Sequence, residues 1–151
     1  MGLGNANMKQ QYFAPAANQP NKGTGSFVEG YNSGLEPSLH LQVVKGDDYL
    51  SGLNLDKIDF VKIDVEGFEQ EVLSGMGETL RRFRPVIAME FSEKTFEKIQ
   101  SLDRLKALLP PNYIIREIRQ ANGKHLQHFH FETSRGDILC FDETTDFLND
   151  F

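Results

Sequence analysis

From Ile58 to Val65 the chain carries Ile58, Phe60, Val61, Ile63 and Val65, a nearly unbroken apolar and β-branched run. Such a run suits a strand buried on both faces, as in a parallel sheet covered by helices. Phe68, Val72, Leu73, Met76, Leu80 and Phe83 then recur at helical spacing, so a helix is expected to pack back on the sheet. Gly75 and Gly77 each weaken that helix by ~1 kcal/mol relative to alanine, which predicts a break or kink. Pro85 ends it, and Val86 to Phe91 reads as a second apolar strand. Ser92 is placed to cap a further helix reaching about Leu109, before Pro110-Pro111, with an irregularity near Ser101. Tyr113 to Ile118 reads as a third strand and Asn122-Gly123 as a tight turn. Gln127 to Phe131 and Asp137 to Phe141 are the last strand candidates.

The first part of the chain is patterned less clearly. Residues 1–37 are rich in Gly, Asn, Pro and Ala. Gln10 to Phe13 and Ser26 to Val28 are strand-like pieces joined by Pro20-Asn21-Lys22-Gly23, which predicts a loose hairpin or extended loop. Gly2-Leu3-Gly4 reads as a turn, since no strand precedes it and no helical pattern follows. Leu39 to Val44 alternates as a short strand, and Asp47 to Leu53 suits a short helix or turn with Asp47 as cap.

These elements divide the chain into an extension (1–37), an α/β unit (38–141) and an acidic tail (142–151) that is expected to fray, with Phe147, Leu148 and Phe151 able to dock. The strand–helix alternation predicts a mostly parallel sheet with right-handed crossovers, helices on both faces, and an antiparallel edge strand near the C-terminus.

Length and composition narrow the classes. A chain of 151 residues suits one domain with a sizeable core. The net charge of -6 argues against a nucleic-acid-binding surface. Arg81, Arg82 and Arg84 are read as complementing a helix C-terminus rather than as a basic patch. No apolar stretch reaches the roughly 18 to 20 residues needed to span a bilayer. Nor does the N-terminus resemble a signal peptide. Cys140 is the single cysteine, so no internal disulfide forms, which fits a reducing, cytoplasmic compartment. It lies in an apolar run and reads as a buried structural thiol.

The candidate chemistry sits at the end of the first apolar run. Lys62, Asp64 and Glu66 share one face of a strand. Ligands of open α/β sheets sit outside the carboxyl ends of the strands. Glu90, one strand over, has the parity of Val86 and Ala88 and is placed to share the crevice. Asp59 faces the other side. The plainer alternative is a structural ion-pair network of Lys62, Asp64 and Glu90. Paired carboxylates also suit Mg²⁺ or Ca²⁺, but no ligand set is fixed, and no metal is assigned. His125, His128 and His130 lack a cysteine or carboxylate partner at ligand spacing and read as exposed polar positions rather than a zinc site. Phe27, Tyr31 and Tyr49 suit either an acceptor pocket or the core.

The segment Lys57-Ile58-Asp59-Phe60-Val61-Lys62-Ile63-Asp64-Val65-Glu66-Gly67-Phe68-Glu69, followed by Glu71-Val72-Leu73-Ser74-Gly75, resembles the FkbM-type methyltransferases. So does Arg84-Pro85-Val86-Ile87-Ala88-Met89-Glu90-Phe91 downstream, and more faintly Leu3-Gly4-Asn5 and Gly23-Thr24-Gly25-Ser26. The resemblance implies a Rossmann-like fold and S-adenosylmethionine-dependent transfer of a methyl group to the hydroxyl of a small molecule. It implies catalytic roles for Asp64, Glu66 and Glu90, with Asp64 nearest the methyl end of the cofactor, Glu66 nearer the acceptor, and Lys62 beside Asp64 at the cofactor. The family's glycine-rich cofactor loop and the strand preceding it have no counterpart in this sequence. The chain is therefore expected to be the second half of such a domain, with the Ile58 to Val65 strand left unpaired on one edge. An open apolar edge is a template for association, either in a homo-oligomer or with a missing N-terminal half. A non-catalytic remnant that binds a partner through this edge is the rival expectation, and a carboxylate–metal hydrolase a weaker third.

Overall fold

The computed structural model of the protein describes residues 1–18, 24–31, 33–119 and 126–145. These residues form two sheets and five helices. The smaller sheet joins β1 (Gly2–Gly4), β3 (Leu35–Lys45) and β2 (Met8–Pro15) in that order, with β1 parallel and β2 antiparallel to β3. Gly2-Leu3-Gly4 is thus a strand and not the expected turn. The hairpin expected within residues 10–28 is also replaced. β2 pairs with β3, and Phe13 and Ser26 share only an isolated bridge. Pro20-Asn21-Lys22-Gly23 lies outside the described residues.

α1 spans Gly46–Ser51, but Asp47 does not cap it. Its carboxylate accepts instead from the backbone N–H groups of Glu78 (3.1 Å) and Thr79 (2.8 Å), so it caps α3 from across the fold. The long helical pattern breaks at Met76 into α2 (Glu69–Gly75) and α3 (Gly77–Phe83), as the two glycines predict. α2 lies against β1 because Gly75 has no side chain: a Cβ there would overlap the Gly4 carbonyl. The next helical run divides at Ser101 into α4 (Glu93–Ile99) and α5 (Leu102–Leu108). Ser92 and Ser101 supply the two N-caps, and Gln100 (φ 68) closes α4 in the left-handed conformation.

The larger sheet has the order β4 (Phe60–Ile63), β5 (Val86–Phe91), β8 (Gly136–Asp142), β6 (Tyr113–Ile118), β7 (Leu126–His128). β4 and β5 are parallel, whereas β5–β8, β8–β6 and β6–β7 are antiparallel. This corrects the expectation of a mostly parallel sheet. β8 takes the slot between β5 and β6 rather than an edge, and β7 forms the far, antiparallel edge. Because β8 opposes both neighbours, β4, β5 and β6 still point the same way, and their carboxyl ends open together.

β4 forms the other edge. Phe60 is 56% exposed, so the strand is not buried on both faces as its apolar run predicts. Burial falls instead on β5, where Ile87, Met89 and Phe91 are fully covered. An apolar run reads alike whether a neighbour covers it or leaves it open. Cys140 is fully buried on β8, and burial pushes its thiol up to about 12, as expected for a structural cysteine. Arg81 and Arg82 lie in the last turn of α3. Arg84 (φ 47) ends that helix, and its guanidinium is bound by Asp142 and the Pro111 carbonyl. Asn122-Gly123, His125 and residues 146–151 fall outside the described residues. No helix among the described residues is long and apolar enough to cross a membrane.

Candidate functional site

β4 ends at Ile63, two residues before the apolar run does, and the chain turns. Glu66 (φ 52) and Gly67 (φ 89) both adopt left-handed backbone. Only glycine suits the second position without strain, and the room is also taken: a Cβ on Gly67 would lie 2.7 Å from Tyr31 Cδ2. The loop is tied from two further sides. Glu69, fully buried at the start of α2, accepts through Oε1 from the N–H groups of Val65 and Gly67, both at 3.2 Å. Its Oε2 accepts from Thr95 Oγ1 at 2.7 Å. Ser26, also buried, donates from Oγ to the Glu66 carbonyl at 2.6 Å and accepts from the Val28 N–H.

This turn brings Asp64 and Glu66 to one cavity of about 370 Å³, shared with Tyr12, Gly25, Phe27 and Val65. Asp64 is half exposed and pairs with Lys62 at 3.2 Å. Lys62 also reaches Asp137 at 3.4 Å. Burial alone would lower the Lys62 pKa, but Asp64 and Asp137 outweigh it and hold the ammonium above its usual range. Glu66 enters the cavity by the left-handed turn, not by strand parity.

Glu90 does not line this cavity. It lies at the end of β5, where it accepts a hydrogen bond from the Tyr31 hydroxyl at 3.2 Å. Burial raises its pKa, and the nearby Glu66 raises it further, against the lowering effect of Tyr31. Burial likewise pushes the Tyr31 hydroxyl well above its ordinary range. Of the ion-pair network expected as the plainer alternative, the Lys62–Asp64 pair is present, while the hydrogen bond at Glu90 comes from a tyrosine.

A second, mostly apolar cavity of about 430 Å³ runs along the free edge of β4, lined among others by Leu3, Phe27, Leu50, Phe60, Val61 and Val65. Phe27 and Val65 separate the two cavities and line both. Tyr49, 40% exposed on α1, lines neither. Among the described residues no group of His, Cys, Asp and Glu is arranged to hold a metal ion. The rings of His128 and His130 stack with centroids 4.7 Å apart.

The residues that the sequence pattern did not single out are Tyr12, Ser26 and Glu69. Tyr12 and Ser26 come from the segment expected to be a loose extension. Glu69 is acidic in the first turn of a helix, where such residues are ordinarily solvated, but it stands three and four residues before Val72 and Leu73, and that spacing on the apolar face was the signal of its burial.

A family model described as "Methyltransferase FkbM domain" matches residues 3–135. Neither curated proteins nor solved structures give a match.

Proposed function

We propose a methyl-transfer function for this chain, which belongs to the FkbM methyltransferase family. The reading is an S-adenosylmethionine-dependent O-methyltransferase acting on a small hydroxyl-bearing acceptor. Its carrying observation is the cavity into which Asp64 and Glu66 open together beside Tyr12 and Phe27. The donor set suits the cofactor: a cationic sulfonium placed there meets two carboxylates, and Asp64 is itself oriented by Lys62. When bound, S-adenosylmethionine supplies a methyl group attached to a good leaving group.

The protein's own part is then chiefly positioning. Asp64, steadied by Lys62, holds the cofactor end of the crevice. Glu66 accepts a hydrogen bond from the acceptor hydroxyl and orients its oxygen. Glu66, which lines the cavity, is therefore also the group placed to take the hydroxyl proton, while Glu90, outside it at the end of β5, accepts from Tyr31 and borders the site. The aromatic faces of Tyr12 and Phe27 pack against the acceptor and exclude water.

The larger sheet is read as the second half of a Rossmann-like methyltransferase sheet. In that reading the free edge of β4 pairs with a strand from an upstream half, which also brings the glycine-rich cofactor loop. Isothermal calorimetry with S-adenosylmethionine tests this, with the chain alone and with such an upstream segment supplied. Binding that appears or strengthens with the segment, and falls in Asp64→Asn, supports the reading. No binding in either state overturns it.

The second reading, an interaction module without catalysis, is favoured by the apolar cavity along the open β4 edge. Absence of cofactor binding together with concentration-dependent association through β4 would select it.

A further inference from the structure

We propose that Glu69 is a positioning residue, which sets the spacing between the carboxylates at the ends of β4 and β5. The assignment rests on the methyl-transfer reading above. Glu69 is the first residue of α2, and its carboxylate does not cap that helix. It reaches back to the N–H groups of Val65 and Gly67, which flank Glu66 in the loop before the helix. Its other oxygen receives Thr95 Oγ1 on α4, and Thr95 is itself 1% exposed. Thr95 Oγ1 lies 3.0 Å from Ser92 Oγ, and Ser92 caps α4 two residues beyond Glu90. A continuous chain of hydrogen bonds therefore runs from the loop holding Asp64 and Glu66 to the strand end holding Glu90.

Its partners are two amides and a hydroxyl, not a cation. A buried carboxyl is costly unless it is fully hydrogen-bonded, and an apolar residue would fill this place with less risk to the fold. What a carboxylate adds is geometry. One oxygen bridges two amides on either side of a left-handed residue, and this holds Glu66 in a conformation that non-glycine residues seldom adopt.

The test compares Glu69→Ala, Glu69→Gln and Thr95→Val with Leu80→Ala, a buried change in α3 outside this chain of hydrogen bonds. The readouts are amide hydrogen exchange at Val65 and Gly67 by NMR, thermal melting, and calorimetric affinity for S-adenosylmethionine under the conditions in which the wild-type protein binds it. Glu69→Ala removes the acceptor of two amides and the Thr95 hydroxyl and is expected to speed exchange at both amides, and to weaken binding, by about tenfold or more. Glu69→Gln keeps an oxygen for the amides and restores most of both. Thr95→Val keeps the amides protected yet weakens binding about threefold, because the link to β5 is cut. Leu80→Ala lowers the melting temperature without changing affinity or these two amides.

If Glu69→Ala melts early but leaves the Val65 and Gly67 amides and the affinity unchanged, the carboxylate is only structural and the proposal is overturned. If Glu69→Ala does not fold, Glu69→Gln and Thr95→Val decide. Unchanged amides in Glu69→Gln with binding weakened about threefold in Thr95→Val alone supports the link, and binding unchanged in both overturns it. Failure of the wild-type protein to bind the cofactor both alone and with the upstream segment supplied sinks the methyl-transfer reading. The amide exchange then decides by itself whether Glu69 holds the loop.

Discussion

The Tyr31 hydroxyl donates to Glu90 Oε2 at 3.2 Å, joining the N-terminal segment to the end of a central strand. Burial raises the Glu90 pKa and this bond opposes it. Tyr31→Phe therefore removes a lowering influence, and Glu90 should ionise at higher pH than in the wild-type protein. Carboxyl NMR titration of both proteins reads the shift. A pKa that stays in place or falls would show that the bond does not act on Glu90 in solution.

Gly67 combines a left-handed backbone with a Tyr31 ring 2.7 Å from where a Cβ would stand. Gly67→Ala should cost about 2 kcal/mol from backbone strain and crowding. For a chain of this size that is a fall of roughly 4–8 °C in Tm, measurable by scanning calorimetry. A fall below one degree would mean that the loop adapts freely.

Phe60 stands 56% exposed on the unpaired edge of β4. Open apolar edges recruit other strands, and a lysine on the edge suppresses this. The wild-type mass from light scattering should rise with concentration, and Phe60→Lys should hold the monomer mass over the same range. A wild-type chain that stays monomeric at every concentration counts against a sticky edge.

Asp142 is held down to about 2, first by the Thr144 backbone N–H and then by Arg84. Its folded pKa lies below the ordinary carboxylate value. The stability it contributes is thus fully present above that ordinary value, and it is lost as pH falls from about 4 to about 2. Melting curves of Asp142→Asn should be flatter than wild type across that interval and shifted by a constant amount above it. Equal acid sensitivity in both proteins would assign the loss to other carboxylates.

Local chemistry was legible from the residues alone. The break between Gly75 and Gly77, the bounds of β5 and β6, and the Ser92 cap all follow from propensity and capping within a few positions. Pairings between distant segments were not. Nothing around Gly2–Gly4 signals a partner at Val43 to Lys45, and nothing in Gly136–Asp142 names the gap between β5 and β6. The site was half visible for the same reason. Asp64 and Glu66 announce themselves at the end of an apolar run. Tyr12, Ser26 and Tyr31 reach them only through the smaller sheet and its loops, whereas Glu69 sits on the apolar face of its helix, three and four residues before Val72 and Leu73, where an acidic residue is easily passed over.

β8 is made late and sits in the middle. A ribosome extending this chain releases β5 and β6 before the strand that joins them, so the two wait side by side, unsatisfied, until Gly136–Asp142 emerges. Closure of the sheet is therefore held back until after both of the strands it joins have been made. A nascent chain stalled ahead of that stretch offers exposed flanks of β5 and β6 to chaperones, where the completed larger sheet, among the described residues, has its edges at β4 and β7.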